Sequence, residues 1–244
     1  MPADAGLRRA GIIAAGDGSR LRGAAPDLPK PLVRVAGKPL VHWVVESLRA
    51  AGADSITVLV NSRGTAVPAS LREAFPKIAW TFLQQDTASS WESFRLVSRA
   101  LAHSSERFLI STVDSLMRPE DCARFAREAF APRGGAAPDA ALALTRFVDD
   151  EKPLWADLDE AGRVSALGED ARRRETVTAG LYALSAGVAA DMPPAAAYGK
   201  LRDFWKGLLV SGRVVSGVVL REAIDVDRPE DVATAERVTA CFAA

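Results

Sequence analysis

The chain has 244 residues, with 31 Lys and Arg balanced by 31 Asp and Glu, 48% hydrophobic residues and 25% charged ones. A net charge of zero gives no global attraction to nucleic acid or to an anionic membrane, so positive charge for a phosphate ligand has to be local. No apolar run reaches the ~18 residues of a membrane span, residues 1–9 carry no apolar signal core, and Cys122 and Cys241 lack metal-ligand spacing, which together predict a cytoplasmic enzyme without a disulfide framework.

In chain order, apolar runs predict strands at 12–15, 56–60, 78–83 and 108–113, with helical patterns at 39–51, 68–75 and 91–102 between them. The helix after Gly37 carries Leu40, Val41, Val44, Val45 and Leu48 on one stripe. Such alternation predicts a parallel sheet with helices on both faces, and a ligand beyond the carboxyl ends of its strands, where Gly16 and Asp114 fall. After a Pro- and Gly-rich loop at 132–138 the texture changes. A strand is predicted at 141–147, a hairpin with arms at 154–157 and 163–167 around Asp159-Glu160-Ala161-Gly162, and a buried strand at 176–184. A helix at 201–210, strands at 214–219 and 223–226 and a closing helix at 229–240 complete the pattern. With no repeat and no long linker, one domain over residues 1–244 is expected.

The densest chemistry lies between Gly11 and Leu40. A short strand ending in Ala14 and Ala15 enters Gly16-Asp17-Gly18-Ser19-Arg20-Leu21-Arg22, and after six residues comes Pro29-Lys30-Pro31, then Gly37-Lys38-Pro39-Leu40. Glycines let backbone N–H groups close around phosphate oxygens, and Arg and Lys supply fixed positive charge. The prolines on either side restrict the backbone of Lys30. A dinucleotide fold is disfavoured, because the third glycine position is Leu21 and a proline-rich loop replaces the helix. Asp114 ends the run 108–113, where a carboxylate suits a hard cation that bridges phosphates. Asp225 stands in Ala223-Ile224-Asp225-Val226-Asp227, and Asp227-Arg228-Pro229-Glu230 reads as a helix start with Asp227 as its capping acid. His42 and His103 have no partner at a suggestive spacing.

These motifs resemble the nucleotidyltransferases that activate sugar phosphates or related phosphomonoesters. The resemblance implies a single-domain α/β fold of the nucleotide-diphospho-sugar transferase type, Rossmann-like, with a mixed, mostly parallel sheet flanked by helices. It implies a nucleotide-binding half at about 7–130, an acceptor-binding half at about 138–227 and a closing helix at 228–241. Ala14, Ala15, Gly16, Gly18, Ser19, Gln84 and Gln85 would contact the nucleotide, Arg20 and Lys30 would act on the triphosphate, and Asp114 with Asp225 would hold Mg²⁺ or Mn²⁺. The chain departs from the family pattern at Thr112-Val113-Asp114, where a glycine usually precedes the aspartate, and at Thr87-Ala88-Ser89-Ser90, where Gly-Thr-Ala is common. Glu151-Lys152-Pro153 resembles an acceptor-binding element but precedes the hairpin, so Lys152 and Arg172 of the Arg172-Arg173-Arg174 run are both candidates for the acceptor phosphate. Gly180 would allow substrate close to the backbone, Lys38 is expected to be solvated, and Trp155 is a candidate stacking platform.

The implied reaction moves a nucleoside monophosphate from a triphosphate to a phosphomonoester, a sugar 1-phosphate first, and releases pyrophosphate. Two alternatives are a cytidylyltransferase acting on phosphocholine or inositol phosphate and a catalytically silent nucleotide sensor. Glycosyl transfer is disfavoured, since Asp114-Ser115-Leu116 is no D-x-D motif. The expected partners are small molecules, with neither nucleic acid nor membrane.

Overall fold

The computed structural model describes residues 7–21, 28–146, 153–240 and 242. Strand β1 (Arg9–Ala14) leads through a 3₁₀ turn at Lys30–Leu32 and a small ribbon, β2 (Arg34–Val35) with β3 (Lys38–Pro39), into α1 (Leu40–Ala50). There follow β4 (Ser55–Val60), α2 (Val67–Ala74), β5 (Ala79–Gln84), α3 (Ser90–Ala102), β6 (Arg107–Thr112), β7 (Ser115–Met117) and α4 (Pro119–Glu128). The second half supplies β8 (Ala140–Thr145), β9 (Trp155–Leu158), β10 (Val164–Leu167), β11 (Thr176–Ser185), α5 (Ala186–Ala190), α6 (Leu201–Val210), β12 (Val215–Val219), β13 (Ala223–Asp225) and α7 (Pro229–Ala240).

The expected mixed α/β sheet is present. β5, β4, β1 and β6 lie side by side and parallel, each joined to the next in sequence through a helix. The order reverses between β1 and β6, which opens a crevice at their carboxyl ends. β11 then returns antiparallel to β6 and pairs with β8 and β9 on its way. The strands of the second half therefore continue the same sheet beyond β6, which sets β11 beside the crevice.

The helices cover both faces because their apolar stripes demand it. Val41, Val44, Val45 and Leu48 of α1 join Leu71 of α2 and Phe125 of α4 on one side. Trp91, Phe94 and Val97 of α3 meet Phe204 and Trp205 of α6 on the other. A third cluster places Leu21, Val33 and Leu40 against Ile224, Val226 and Val238. It fastens the proline loop to β13 and α7, the two ends of the chain that share the crevice. The helix α4 escaped the sequence reading because only Cys122 and Phe125 form its buried apolar face amid charged residues. β7 escaped as well, since its three residues pair only with β13, more than a hundred residues later.

Candidate active site

Beyond Ala14 the chain leaves the sheet as an extended loop and turns at Ser19 and Arg20. Ala14 itself faces the core, whereas Ala15, Gly16, Gly18, Ser19 and Arg20 line a cleft of roughly 500 Å³. Asn61, at the end of β4, pins this loop: its Nδ2 donates to the carbonyls of Ala15 (3.1 Å) and Gly16 (3.3 Å). The sequence reading missed it, although a lone amide ending the apolar run 56–60 was the available signal. Gly18 has φ +57°, and a Cβ there would stand 2.7 Å from Lys30 Cβ, so the loop packs directly on the lysine stem.

Lys30 is 8% exposed and begins the 3₁₀ turn that Pro29 precedes. Its ammonium donates to Asp114 at 2.6 Å and also to Asp227. Burial alone would depress its pKa, but attraction to Asp114 and Asp227 outweighs burial and raises it, so Lys30 remains charged. Asp114, in the two-residue turn between β6 and β7, is opposed by burial and yet held below the usual carboxylate range, chiefly by Lys30.

Asp227 corrects the sequence reading. Its carboxylate is turned into the cleft, and the backbone N–H groups of Asp227 and Arg228 donate to Asp231 Oδ2 at 2.9 and 2.7 Å. Asp231 is thus the acid that caps α7. A buried lysine outcompeted the helix end for the Asp227 carboxylate, because an ammonium in a low-dielectric site binds a carboxylate more strongly than an amide does.

Asp225 pairs in register with Ser115 across the β13–β7 ribbon and, with Asp114, lines a second cavity of roughly 400 Å³. Its carboxyl is raised by the protein around the cleft floor and then by Asp114 and Asp227. Because the side chain opens to the cavity, water moderates the first cause, and like-charge repulsion is the one that stands. No ion pair holds Asp225 among the described residues. Asp225, with no such partner, and the Lys30-paired Asp114 present two carboxylates on one wall, a donor set that fits a hard divalent cation. No set of three or more His, Cys, Asp or Glu converges among the described residues, so substrate phosphate and water would complete such a site.

The second cavity departs further from expectation. Arg172 is exposed, its backbone N–H anchored 2.7 Å from the Asp157 carboxylate, and Lys152 lies outside the described residues. Lys200 and Arg202, at the start of α6, line the cavity instead, and Trp205 rather than Trp155 forms its floor. Gly180 also lines it, but the missing side chain makes room for protein: a Cβ would stand 2.6 Å from Thr112 Oγ1 and 2.7 Å from Ser115 Cβ, at φ +66°. The strand bulges there, between Thr178 and Tyr182.

Gln84 and Gln85 are exposed at the end of β5, and the amide of Gln85 donates to Glu92. The cleft wall on that side is formed by Thr87, Ala88, Ser89 and Ser90. Ser89 caps α3 by accepting from Glu92 N–H at 3.1 Å, while Glu92 accepts from Ala88 N–H at 2.7 Å. Ser90 borders both cavities and accepts from Leu201 N–H at 3.1 Å, which ties α3 to α6. Lys38, expected to be solvated, pairs with Glu46 at 2.6 Å and lies over the Trp43 ring. His42 packs edge-on against Phe75 and shares a hydrogen bond with Ser70.

A family model for the MobA-like NTP transferase domain matches residues 10–186. The bifunctional IPC transferase and DIPP synthase of Rubrobacter xylanophilus is 30% identical over 96% of this chain and 52% of its own length. A glucose-1-phosphate thymidylyltransferase from Streptomyces griseus is 25% identical over 86% of this chain and 59% of its own. The chain therefore spans about half the length of these curated relatives. Among solved structures, the inositol-1-phosphate CTP transferase from T. maritima superposes with a TM-score of 0.83 over 97% of this chain and 96% of that one, at 19% identity, a likeness of fold.

Proposed function

The chain belongs to the family of MobA-like NTP transferase domains, and from this premise we propose that it transfers a nucleoside monophosphate from a triphosphate to a small phosphomonoester. One observation carries the reading. Two cavities meet at a shared wall of Thr112, Asp114 and Ser90, one rimmed by the glycine loop with Lys30, the other by Lys200 and Arg202. A triphosphate in the first and a phosphorylated acceptor in the second would bring their reacting atoms together beside Asp114. The lining of the first comes mostly from residues before 130, and that of the second mostly from residues after 150, which supports a nucleotide half at 7–130, an acceptor half at 138–227 and a closing helix at 228–241 within one domain.

In this reading an acceptor phosphate oxygen attacks the α-phosphorus in line, a new P–O bond forms, and the bond to the β-phosphate breaks to release pyrophosphate. The nucleophile is already ionised, so no strong general base is required, in keeping with the absence of a Ser/His or Cys/His pair from the described cleft. Gly16, Gly18 and Ser19 would receive the phosphates, and Arg20 and Lys30 would offset the charge that develops on the leaving group. Asp114 and Asp225 would hold Mg²⁺, or Mn²⁺ in its place, a cation that neutralises phosphate charge as a Lewis acid. Asp227 keeps Lys30 aimed at the cleft. A triphosphate-dependent reaction of this kind belongs in the cytoplasm, and no helix among the described residues is long and apolar enough to cross a membrane.

The activities of the Rubrobacter relative and the T. maritima fold neighbour favour CTP and an inositol phosphate as the first pair to assay. The Streptomyces relative makes a sugar 1-phosphate the second. Pyrophosphate release should be measured for the four triphosphates against these acceptors with Mg²⁺. The proposal expects release that depends on both substrates, stops with chelator and resumes with Mg²⁺ or Mn²⁺. Nucleotide binding without release from any pair would support the silent-sensor alternative.

A further inference from the structure

The large sheet ends at β5 with an edge that no strand covers among the described residues. At its opposite end β10 and β12 close on each other through the bridge between Arg163 and Ser216, which leaves β5 as the one long open edge among those residues. Ala79 N–H donates to the Asp54 carbonyl and Gln85 N–H to that of Val60, both at 2.9 Å. Alternate residues of a parallel ladder bond the same neighbour, so Ala79, Thr81 and Leu83 serve β4 while Trp80, Phe82 and Gln84 turn their main-chain N–H and C=O groups outward. This edge, Ala79-Trp80-Thr81-Phe82-Leu83-Gln84, has no charge, proline or bulge, the devices by which proteins guard an open strand. Trp80 and Phe82 stack on each other at 5.7 Å and pack half-buried on one face of the sheet, while Thr81 is exposed on the other. Lys77 stands before the strand and Asp86 after it, both exposed and neither in an ion pair among the described residues. Asp86 accepts from Ser62 N–H at 2.8 Å through one carboxylate oxygen.

We propose that β5 pairs antiparallel with β5 of a second copy of this chain, about a two-fold axis at Thr81, so that one sheet runs through both protomers. Charge favours a second copy over a foreign strand. Antiparallel pairing about Thr81 sets Lys77 opposite the partner's Gln85 and one step from the partner's Asp86, and symmetry repeats that contact. The side chains agree with the same register. Trp80 lies opposite the partner's Phe82 in both directions, which joins two stacked pairs into a cluster of four rings, and Thr81 meets the partner's Thr81, both favourable cross-strand pairs. The outward main-chain groups of Trp80 and the partner's Phe82 then bond each other. A centre at Phe82 would instead set Trp80 against the partner's Gln84. With one open edge per chain, the pairing closes at two copies and does not grow into a filament. No residue of β5 lines either cavity, so the pairing lies outside both clefts.

Sedimentation velocity over a concentration series, with amide exchange followed by NMR, tests this. The wild type should reach twice the chain mass as concentration rises. Over the same range the N–H groups of Trp80 and Phe82 should gain protection, while those of Thr81 and Leu83, bonded to β4, stay protected throughout. Thr81→Lys and Thr81→Glu each bring like charges face to face across the axis. Each variant alone should sediment at the single chain mass, with circular dichroism showing it folded, and an equal mixture of the two should sediment as a dimer. A monomeric wild type, dimers that persist in both variants alone, or a mixture that stays monomeric would overturn the proposal. Should a variant fail to fold, the wild-type exchange decides: protection of Trp80 and Phe82 that does not change with concentration would overturn it as well.

Discussion

At the scale of single residues the account turns on Lys30. It is a buried lysine held by two aspartates that come from positions 84 and 197 residues away. Lys30→Met should lower turnover by about 10²–10³ with little change in the triphosphate KM, the usual cost of a preorganised charge contact made in the transition state. Near wild-type turnover in steady-state assays would return Lys30 to a purely structural role. The aspartates around it separate by function. Asp225→Ala should abolish transfer while leaving the melting temperature nearly unchanged, because no ion pair among the described residues depends on it. Asp231→Ala should remove the cap of α7 at a cost of about 1 kcal/mol and retain turnover. Asp227→Ala should lower turnover by freeing Lys30 without that loss of stability. Melting temperature and turnover measured together for the three variants distinguish these roles. Equal stability losses for Asp227→Ala and Asp231→Ala would restore Asp227 as a cap.

At the scale of elements, the glycine loop and the start of α3 form opposite walls of the nucleotide cleft. Gly18→Ala should be worse for catalysis than for folding. Its left-handed φ costs about 1–2 kcal/mol with a side chain, and the new Cβ would push on the Lys30 stem. Turnover that survives a clear drop in melting temperature would break the proposed link between loop and lysine. Ser89→Ala should remove the α3 cap at about 1 kcal/mol, a shift of roughly 2–4 °C for a chain of this size, which thermal unfolding would detect. What was legible in the sequence at this scale follows from locality. The glycine loop, Pro29-Lys30-Pro31 and Asp114 all sit at strand ends or in short motifs, so their shared crevice follows from strand–helix alternation alone. Asp227 was misread because an acid before Pro229 has the chemistry of a cap, and only a lysine far away in sequence decides otherwise. Asn61, Lys200 and Arg202 were not picked out, because nothing local marks them. Their place is set by how β4 ends and by how β11 and α6 return across the cleft.

At the scale of the whole molecule, the reversal of strand order between β1 and β6 creates the crevice, and the antiparallel return of β11 closes it from the other side. The third apolar cluster joins the proline loop to β13 and α7, so both chain ends are needed to assemble one cleft. Ser90 borders both cavities and, through its bond to Leu201 N–H, ties the wall at Thr87–Ser90 to the start of α6. The proposed reaction is attack by an acceptor phosphate on the α-phosphorus of a triphosphate. Phosphorus-31 NMR of a reaction containing CTP, inositol 1-phosphate and Mg²⁺, repeated with glucose 1-phosphate and the other triphosphates, tests it most directly. Equal amounts of pyrophosphate and a nucleoside diphosphate ester are expected from at least one pair, and neither from Asp225→Ala. Formation of a nucleoside diphosphate with a doubly phosphorylated acceptor, which marks attack at the γ-phosphorus, or no phosphorus exchange from any pair, would contradict it.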